Sequence, residues 1–382
     1  MRVWNQNKII LSFYQSFPPA SGAATVCYNV FKFLSGPKYL IQLANKLNVT
    51  SPDYGSHIIH ISGLPKDKIL KGFWLISRFP SILGKIRQLR PSVIIMEGSA
   101  WSFYYLILFY LLRFLDIKAR TVYHAHNVEY LLRKTKNNFL IAQISKWAEG
   151  LLLKRADLSL AVSHVDADVF QGLYGVKPKI LPNGVDLERF GNIPDNLVID
   201  IEKKYSLTHP MILFMGLLGF KPNDEALQFL VEEILPDVIV KFPDLKLAVI
   251  GGRCPIKRDW LTNPGSIPFE EVPILIRSAD ICLAPIFSGS GTKLKVLEYL
   301  ASGKAVIATP KAIEGIDVAD RRDLLVARNS TEFVENILFL LKNPDYCRRL
   351  GEQGKKKIAL HYSWDAVIRN LDHQLDELMM ES

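Results

Sequence analysis

A two-part rhythm constrains this 382-residue chain most: short apolar runs alternate with longer stretches of helical periodicity, and the series runs twice. Such alternation is the pattern of parallel strands joined by crossover helices. The first series predicts strands at Ile9–Tyr14, His57–Ile61, Val93–Met96, Thr121–His124, Leu158–Val162 and Lys179–Leu181. The second predicts Met211–Met215, Leu245–Ile250, Ile281–Ala284, Ala305–Ala308 and Leu324–Val326. Between them, Pro182-Asn183-Gly184-Val185-Asp186 and the stretch from Phe190 to Pro210 carry turn formers without sustained periodicity, which reads as a linker. The expectation is an α/β chain of two Rossmann-like doubly wound domains, residues 1–190 and 191–360. Val367, Leu371, Leu375 and Leu378 then form one stripe of a terminal helix within residues 361–382, expected to pack back on the first domain.

With 49% apolar and 22% charged residues the composition is globular, which excludes a disordered chain, a collagen and a coiled coil. Cys27, Cys254, Cys282 and Cys347 form no close-spaced pair, so neither a zinc ribbon nor a disulfide framework is written here, and a cytoplasmic setting is expected. The net charge of +9 is uneven: residues 1–191 hold 24 basic and 11 acidic side chains (24 − 11 = +13), and the remainder 23 and 27 (23 − 27 = −4). A basic first half suits an anionic partner, either a phosphate-bearing acceptor or an anionic membrane surface at the inner face of the membrane. Nucleic acid is not expected, because aromatic residues are not interleaved with the cations in any recognisable module. The apolar run Trp101–Leu115 would reach only about 22 Å as a helix, against about 30 Å of hydrocarbon, so it does not span a bilayer. It reads as a buried helix, with a helix lying in a membrane interface as the alternative.

Ligands of open α/β sheets bind beyond the carboxyl ends of the strands, so the loops there carry the chemistry. After the first strand, Pro18-Pro19-Ala20-Ser21-Gly22 leads into a helix whose start Gly22 leaves open to a ligand. After the fourth, His124-Ala125-His126-Asn127-Val128-Glu129 offers acid-base and hydrogen-bonding groups. Two His at i, i+2 are expected on opposite sides of an extended segment, without a third ligand, so no metal is predicted. The Asp166-Ala167-Asp168 acids read as a helix start rather than a metal site. Most informative is Gly289-Ser290-Gly291-Thr292-Lys293-Leu294-Lys295 with Glu298: donors gather at a helix N-terminus where phosphate is favoured, cations stand beside them, and a carboxylate follows that can accept ribose hydroxyls. Neither a Gly-x-x-x-x-Gly-Lys-Ser/Thr loop nor a first-unit Gly-x-Gly-x-x-Gly is present, which counts against an NTPase and a dehydrogenase.

As a whole the chain resembles the retaining glycosyltransferases of family 4, also called group 1. The resemblance is carried by Pro18-Pro19-Ala20-Ser21-Gly22, His126-Asn127-Val128-Glu129, Leu181-Pro182-Asn183-Gly184-Val185-Asp186, Met215-Gly216 with Lys221-Pro222-Asn223, and the Gly289–Gly303 segment. It implies a GT-B type fold, two Rossmann-like domains facing across a cleft. It further implies a nucleotide-diphosphate sugar as co-substrate on the second domain, no other cofactor, and a glycan or lipid-linked acceptor on the first. Glu298 matches the second Glu of the family's Glu-x7-Glu motif, while Ser290 stands where the first would be, and Leu217 stands where many relatives have Arg. Offsetting the diphosphate charge then falls to Lys221, Lys293, Lys295 and the helix N-terminus, and His126 matches a His near the transferred sugar. The expected activity is sugar transfer with retention in cell-envelope or extracellular polysaccharide synthesis. A sugar-nucleotide epimerase of the same fold and a non-catalytic glycan-binding relative are the alternatives.

Overall fold

The computed structural model describes residues 7–14, 16, 21–44, 57–63, 65, 67–134, 139–289 and 291–380. The chain divides into two compact units, one of residues 1–182 with 367–382 and the other of residues 183–366. Each holds one parallel sheet, as expected for a chain of repeated strand–helix units.

The first unit contains β1 (Lys8–Ser12), β2 (Lys38–Ala44), β3 (Ile58–Ser62), β4 (Val93–Glu97), β5 (Arg120–Ala125), β6 (Leu158–Ala161) and β7 (Lys179–Ile180), in the order β3-β2-β1-β4-β5-β6-β7. The order runs outward from β1 to β3 and then, from β3 through β7, in the opposite direction. Right-handed crossovers therefore put the helix Gly22–Phe33 on one face and the helices Lys68–Ser77, Ser102–Phe114 and Phe139–Arg155 on the other. On that second face Ile9, Leu11, Ile94, Met96 and Tyr123 of the strands pack with Leu75, Tyr105, Leu108, Ala148 and Leu152 of the helices in one core. Ser102–Phe114 is buried along Tyr105, Leu106, Leu108, Phe109 and Leu112, but Phe114 is 86% exposed, so the buried helix expected here is buried on one side only.

The second unit contains β8 (Met211–Met215), β9 (Lys246–Ile250), β10 (Leu261–Gly265), β11 (Ile281–Ala284), β12 (Ala305–Ala308) and β13 (Leu325–Val326), in the order β10-β9-β8-β11-β12-β13. β9, β11 and β12 are buried almost throughout, as strands covered on both faces must be. Two strands lie outside the predicted series. β10 reads Leu-Thr-Asn-Pro-Gly, a turn by composition, yet it is an edge strand, where a missing proline N–H leaves no ladder bond unmade. β2 follows Gly36-Pro37, and its Gln42 is buried, accepting the Ser16 N–H through Oε1.

The stretch from Phe190 to Pro210 is not structureless: it holds the helix Asp195–Tyr205, whose Ile201 is buried in the second core. Gly184 of the Pro-Asn-Gly run faces the fully buried Trp364, and a Cβ there would lie 2.7 Å from the Trp364 ring. The terminal helix Trp364–Met380 buries Val367, Leu371, Leu375 and Leu378, the predicted stripe. Asp166 is a helix-start acid, its N–H donating to Ser163 Oγ at 3.0 Å, and Asp168 pairs with Lys177 at 2.6 Å.

Candidate functional site

In a doubly wound sheet the crevice opens where strand order reverses. In the second unit that point lies between β8 and β11. The loops leaving these two strands, Gly216–Phe220 and Pro285–Lys293, meet there. Gly289 (φ +94°) and Gly291 (φ +72°) adopt left-handed backbone that a residue with a Cβ resists, so the turn needs glycine at both. A Cβ on Gly289 would lie 3.6 Å from Pro222 and 3.9 Å from Lys293 Nζ, which sets the turn against the start of the helix Lys221–Phe229. Lys293 Nζ folds back to donate to the Gly291 carbonyl at 2.7 Å. Ser288 donates to Glu225 at 2.8 Å, while Lys221 stands exposed 3.6 Å from the same carboxylate. Thr292 Oγ1 is buried without a hydrogen-bond partner. Ser290 lies outside the described residues.

The helix Leu294–Ala301 begins directly after the turn, anchored by buried Val296, Leu297, Tyr299 and Leu300 and by the Met215 N–H donating to Tyr299 Oη at 2.7 Å. Lys295 donates to Asn223 Oδ1 at 2.8 Å and its ammonium stands 4.8 Å from the centre of the Phe214 ring. Asn223 is held in turn by donating to the Leu217 carbonyl at 3.0 Å and by lying against Gly216. Burial, with Lys293 adding to it, pushes the Lys295 ammonium down to about 7 against the pull of Glu298. Burial likewise pushes Glu298 up to about 7, against the attraction of Arg189 and Lys295. Arg189 is stacked on Phe269, 3.5 Å from its centre, and donates to the Phe269 carbonyl at 2.7 Å.

The Glu298 carboxylate makes no hydrogen bond and no ion pair within 4 Å to any described residue, so the surface pairing with Lys295 or Lys304 that its position allows is not made. Such a carboxylate has its acceptor capacity free for a pair of hydroxyls, and the glycine turn and Lys295 beside it suit a diphosphate. The structure thus gathers Gly289, Gly291, Thr292, Lys293, Lys295 and Glu298 in one place, with Lys221 at the entrance of the neighbouring helix. Arg189 is a functional neighbour that spacing in the sequence did not reveal, and Asn223, quoted there only as part of the Lys221-Pro222-Asn223 run, is the residue that holds Lys295.

The first unit has its own reversal point between β1 and β4, and there the expectation for the histidines is overturned. His124 and His126 do not diverge: both rings reach Glu97 Oε2, His124 Nδ1 at 3.0 Å and His126 Nε2 at 2.6 Å, with ring centres 4.8 Å apart. Strand alternation ends with β5 at Ala125, which frees His126 to turn back onto the carboxylate at the end of β4. Burial would raise Glu97, but the charges and hydrogen bonds of the two histidines overcome it and hold the carboxyl at about 2. Burial lowers His126, with Glu97 opposing. Glu97 Oε1, His124 Nε2 and His126 Nδ1 remain buried without partners.

The helix that starts at the exposed Gly22, capped by Ser21 Oγ accepting from the Ala24 N–H, delivers the buried Cys27 to the same place. Cys27, Glu97 and His126 each put a potential ligand atom within 4.8 Å of the others, so a third metal-binding group does stand beside His126. Residues 17–20 of the expected first-strand loop lie outside the described residues. Glu97 carries no motif in the sequence, being a lone acid after an apolar run. Its one signal is its place at a strand's carboxyl end.

Two family models match the chain: Glycosyltransferase Family 4 over residues 21–189 and Glycosyl transferases group 1 over residues 209–343. Among curated proteins the chain is 26% identical over 221 residues to a phosphatidyl-myo-inositol mannosyltransferase of Propionibacterium freudenreichii, covering 56% of this chain and 55% of that one. It is 24% identical over 249 residues to an uncharacterised glycosyltransferase of Methanocaldococcus jannaschii, covering 60% of each. The chain thus spans little more than half the length of these relatives. Of solved structures, sucrose-phosphate synthase from Thermosynechococcus elongatus superposes with a TM-score of 0.76 at 16% identity, over 99% of this chain and 100% of that one. Anabaena HepE in complex with UDP and glucose superposes with a TM-score of 0.74 at 13% identity, over 97% and 99%. Two glycosyltransferase domains in sequence, each built on a parallel sheet with its own reversal point, place the chain among the glycosyltransferases of the GT-B fold.

Proposed function

We propose that the protein transfers a sugar from a nucleotide-diphosphate sugar to a glycan or lipid-linked acceptor, with retention of anomeric configuration and without a metal, in cell-envelope or extracellular polysaccharide synthesis. The observation that carries this reading is the Glu298 carboxylate, without a hydrogen bond to any described residue, beside Lys295 and behind a turn with two left-handed glycines. In this reading Glu298 accepts the ribose hydroxyls, and Lys295, Lys293 and the amides of the turn hold the diphosphate. HepE, whose structures contain UDP, UDP with glucose, or UDP-glucose, supports a nucleotide-sugar donor, and the mannosyltransferase relative supports sugar transfer.

Departure of a nucleotide diphosphate builds charge on the β-phosphate while the anomeric carbon acquires oxocarbenium character; fixed cations and amides stabilise that charge without a protein nucleophile, as the acceptor oxygen bonds to the anomeric carbon and its proton passes to the departing diphosphate. Lys295, lowered to about 7 by burial, becomes fully protonated as phosphates come against it. His126, fixed by Glu97, is assigned to positioning the transferred sugar or the acceptor. No helix among the described residues is long and apolar enough to cross a membrane, and a peripheral place at the inner face of the membrane suits a lipid-linked acceptor.

The test is calorimetry with a panel of nucleoside diphosphates and their sugars, followed by a transfer assay before and after EDTA dialysis. Failure of every nucleotide to bind at millimolar concentration sinks the donor site. Loss of turnover after dialysis, restored by a divalent ion, sinks metal independence. Conversion of the donor sugar without acceptor points to an epimerase instead.

A further inference from the structure

Of the twenty large apolar side chains that stand exposed among the described residues, eleven lie on just three helices of the first unit, Lys68–Ser77, Ser102–Phe114 and Phe139–Arg155. The three lie on the same face of the sheet. Ser102–Phe114 packs against Phe139–Arg155, and its Tyr104 hydroxyl fills the space that a Cβ on Gly72 of the first helix would occupy. Within Phe139–Arg155 the inward stripe is Ala142, Ser145, Ala148 and Leu152, all buried. The outward stripe, Leu140, Ile144 and Trp147, is also apolar, with Leu140 75% and Trp147 57% exposed. An apolar stripe on a helix is ordinarily covered by a neighbouring element, and of these two stripes only the inward one is covered. Phe73, 71% exposed, and Phe114, 86% exposed, add exposed rings on the other two helices.

Charge identifies what covers it. The three helices carry Lys68, Lys71, Arg113, Lys146, Lys154 and Arg155, of which Arg113 already pairs with Asp157 at 2.9 Å, and their one acid, Glu149, is fully buried. Single-signed cations bordering exposed Trp, Phe, Leu and Ile match a surface that is apolar within and negative at its boundary. We infer that this three-helix face of the first unit seats in the interface of an anionic bilayer, with Leu140, Ile144, Trp147 and Phe114 entering the headgroup–acyl boundary and the lysines and arginines meeting the lipid phosphates. This gives a site to the membrane partner named in the proposed function and rests on that reading only for the choice of a membrane-borne acceptor.

The experiment is co-sedimentation of the full chain with vesicles of phosphatidylcholine alone and of phosphatidylcholine with phosphatidylglycerol, in low and high salt. Ile144→Ser with Trp147→Ser, and Lys71→Gln with Lys154→Gln, serve as variants, and nucleotide binding by calorimetry is the independent readout of the second unit. The expected result is sedimentation with the anionic vesicles, weakened by salt and by the lysine pair, and reduced at least about tenfold by the apolar pair, with nucleotide binding unchanged in both variants. Quenching of tryptophan fluorescence by brominated lipid should fall in Trp147→Phe, a change that leaves the fold intact. Absence of sedimentation with anionic vesicles, equal sedimentation of the apolar pair and the wild type, or concentration-dependent self-association removed by the apolar pair would overturn the inference. A protein that sediments as described yet binds no nucleotide would instead fail the donor reading alone.

Discussion

Replacing Glu298 by Gln separates binding from stability, because the structure assigns opposite signs to the two. Burial raises this carboxyl from 4.5 to about 7. In the unfolded chain it ionises near 4.5, so between pH 4.5 and 7 the folded state alone retains the proton. Stability attached to that proton is present below pH 4.5 and is lost as the pH rises through 7. At 1.36 kcal/mol per unit, the folded protein at pH 8 carries a cost of about 3 kcal/mol at most, an upper bound because solvent still reaches the partly buried group. Gln carries no such cost. The variant should therefore melt higher than the wild type at pH 8, by about 2–4 °C for each kcal/mol recovered in a unit of this size, and equally at pH 4. Donor binding should move the other way: an amide accepts at one atom only, and the loss of a charge-assisted bond costs about 1.5–3 kcal/mol, roughly ten- to a hundredfold in Kd. Melting scans at the two pH values and calorimetry with the preferred nucleoside diphosphate measure both. A variant that binds as tightly as wild type would refute the assignment of the ribose to Glu298, and one that melts lower at pH 8 would refute the account of its environment.

Lys295→Ala should weaken a nucleoside diphosphate more than the parent nucleoside, and equal losses would remove its phosphate role. Because Lys295 must be protonated to meet phosphate and burial holds it near 7, the ratio of diphosphate to nucleoside affinity should fall as the pH rises above 7, which a calorimetric series from pH 6 to 9 checks. In Gly216→Ala the new Cβ would lie 2.7 Å from the Asn223 side chain and displace it from Lys295, so diphosphate binding should drop several-fold with little change for the nucleoside. Glu97→Gln should cost about 1–3 kcal/mol at neutral pH by leaving half of the His124–His126 network unmade. Glu97 is depressed to about 2, so its contribution is present above pH 4.5 and lost as the pH falls toward 2, and the two proteins' melting temperatures should converge there.

Legibility in the sequence differed with the range of the interaction. The buried strands Val93–Glu97, Ile281–Ala284 and Ala305–Ala308 announce themselves as apolar runs, since a parallel strand covered on both faces has no polar side to show. The glycine turn was legible because Gly289 and Gly291 are demanded by their own backbone dihedrals, and Glu298 because it lies on the helix that this turn starts. Asn223 was legible only as part of the Lys221-Pro222-Asn223 run, not as the group that holds Lys295 from 72 residues away, and Arg189, which shares the Glu298 environment, left no local trace. The edge strand Leu261–Gly265 hid behind its proline, and the helix Asp195–Tyr205 behind a stretch with a single buried residue, Ile201.

What the amino-acid order determined by itself was the class of fold and the backbone-dictated turn, because apolar periodicity and left-handed glycines act over a few residues. Tertiary structure alone decided the ionisation of Glu298 and Lys295, the turning of two histidines onto Glu97, and the gathering of exposed apolar side chains on one face of the first unit. Each of these depends on desolvation or charge from segments that become neighbours only when strands order as β1 beside β4 and β8 beside β11.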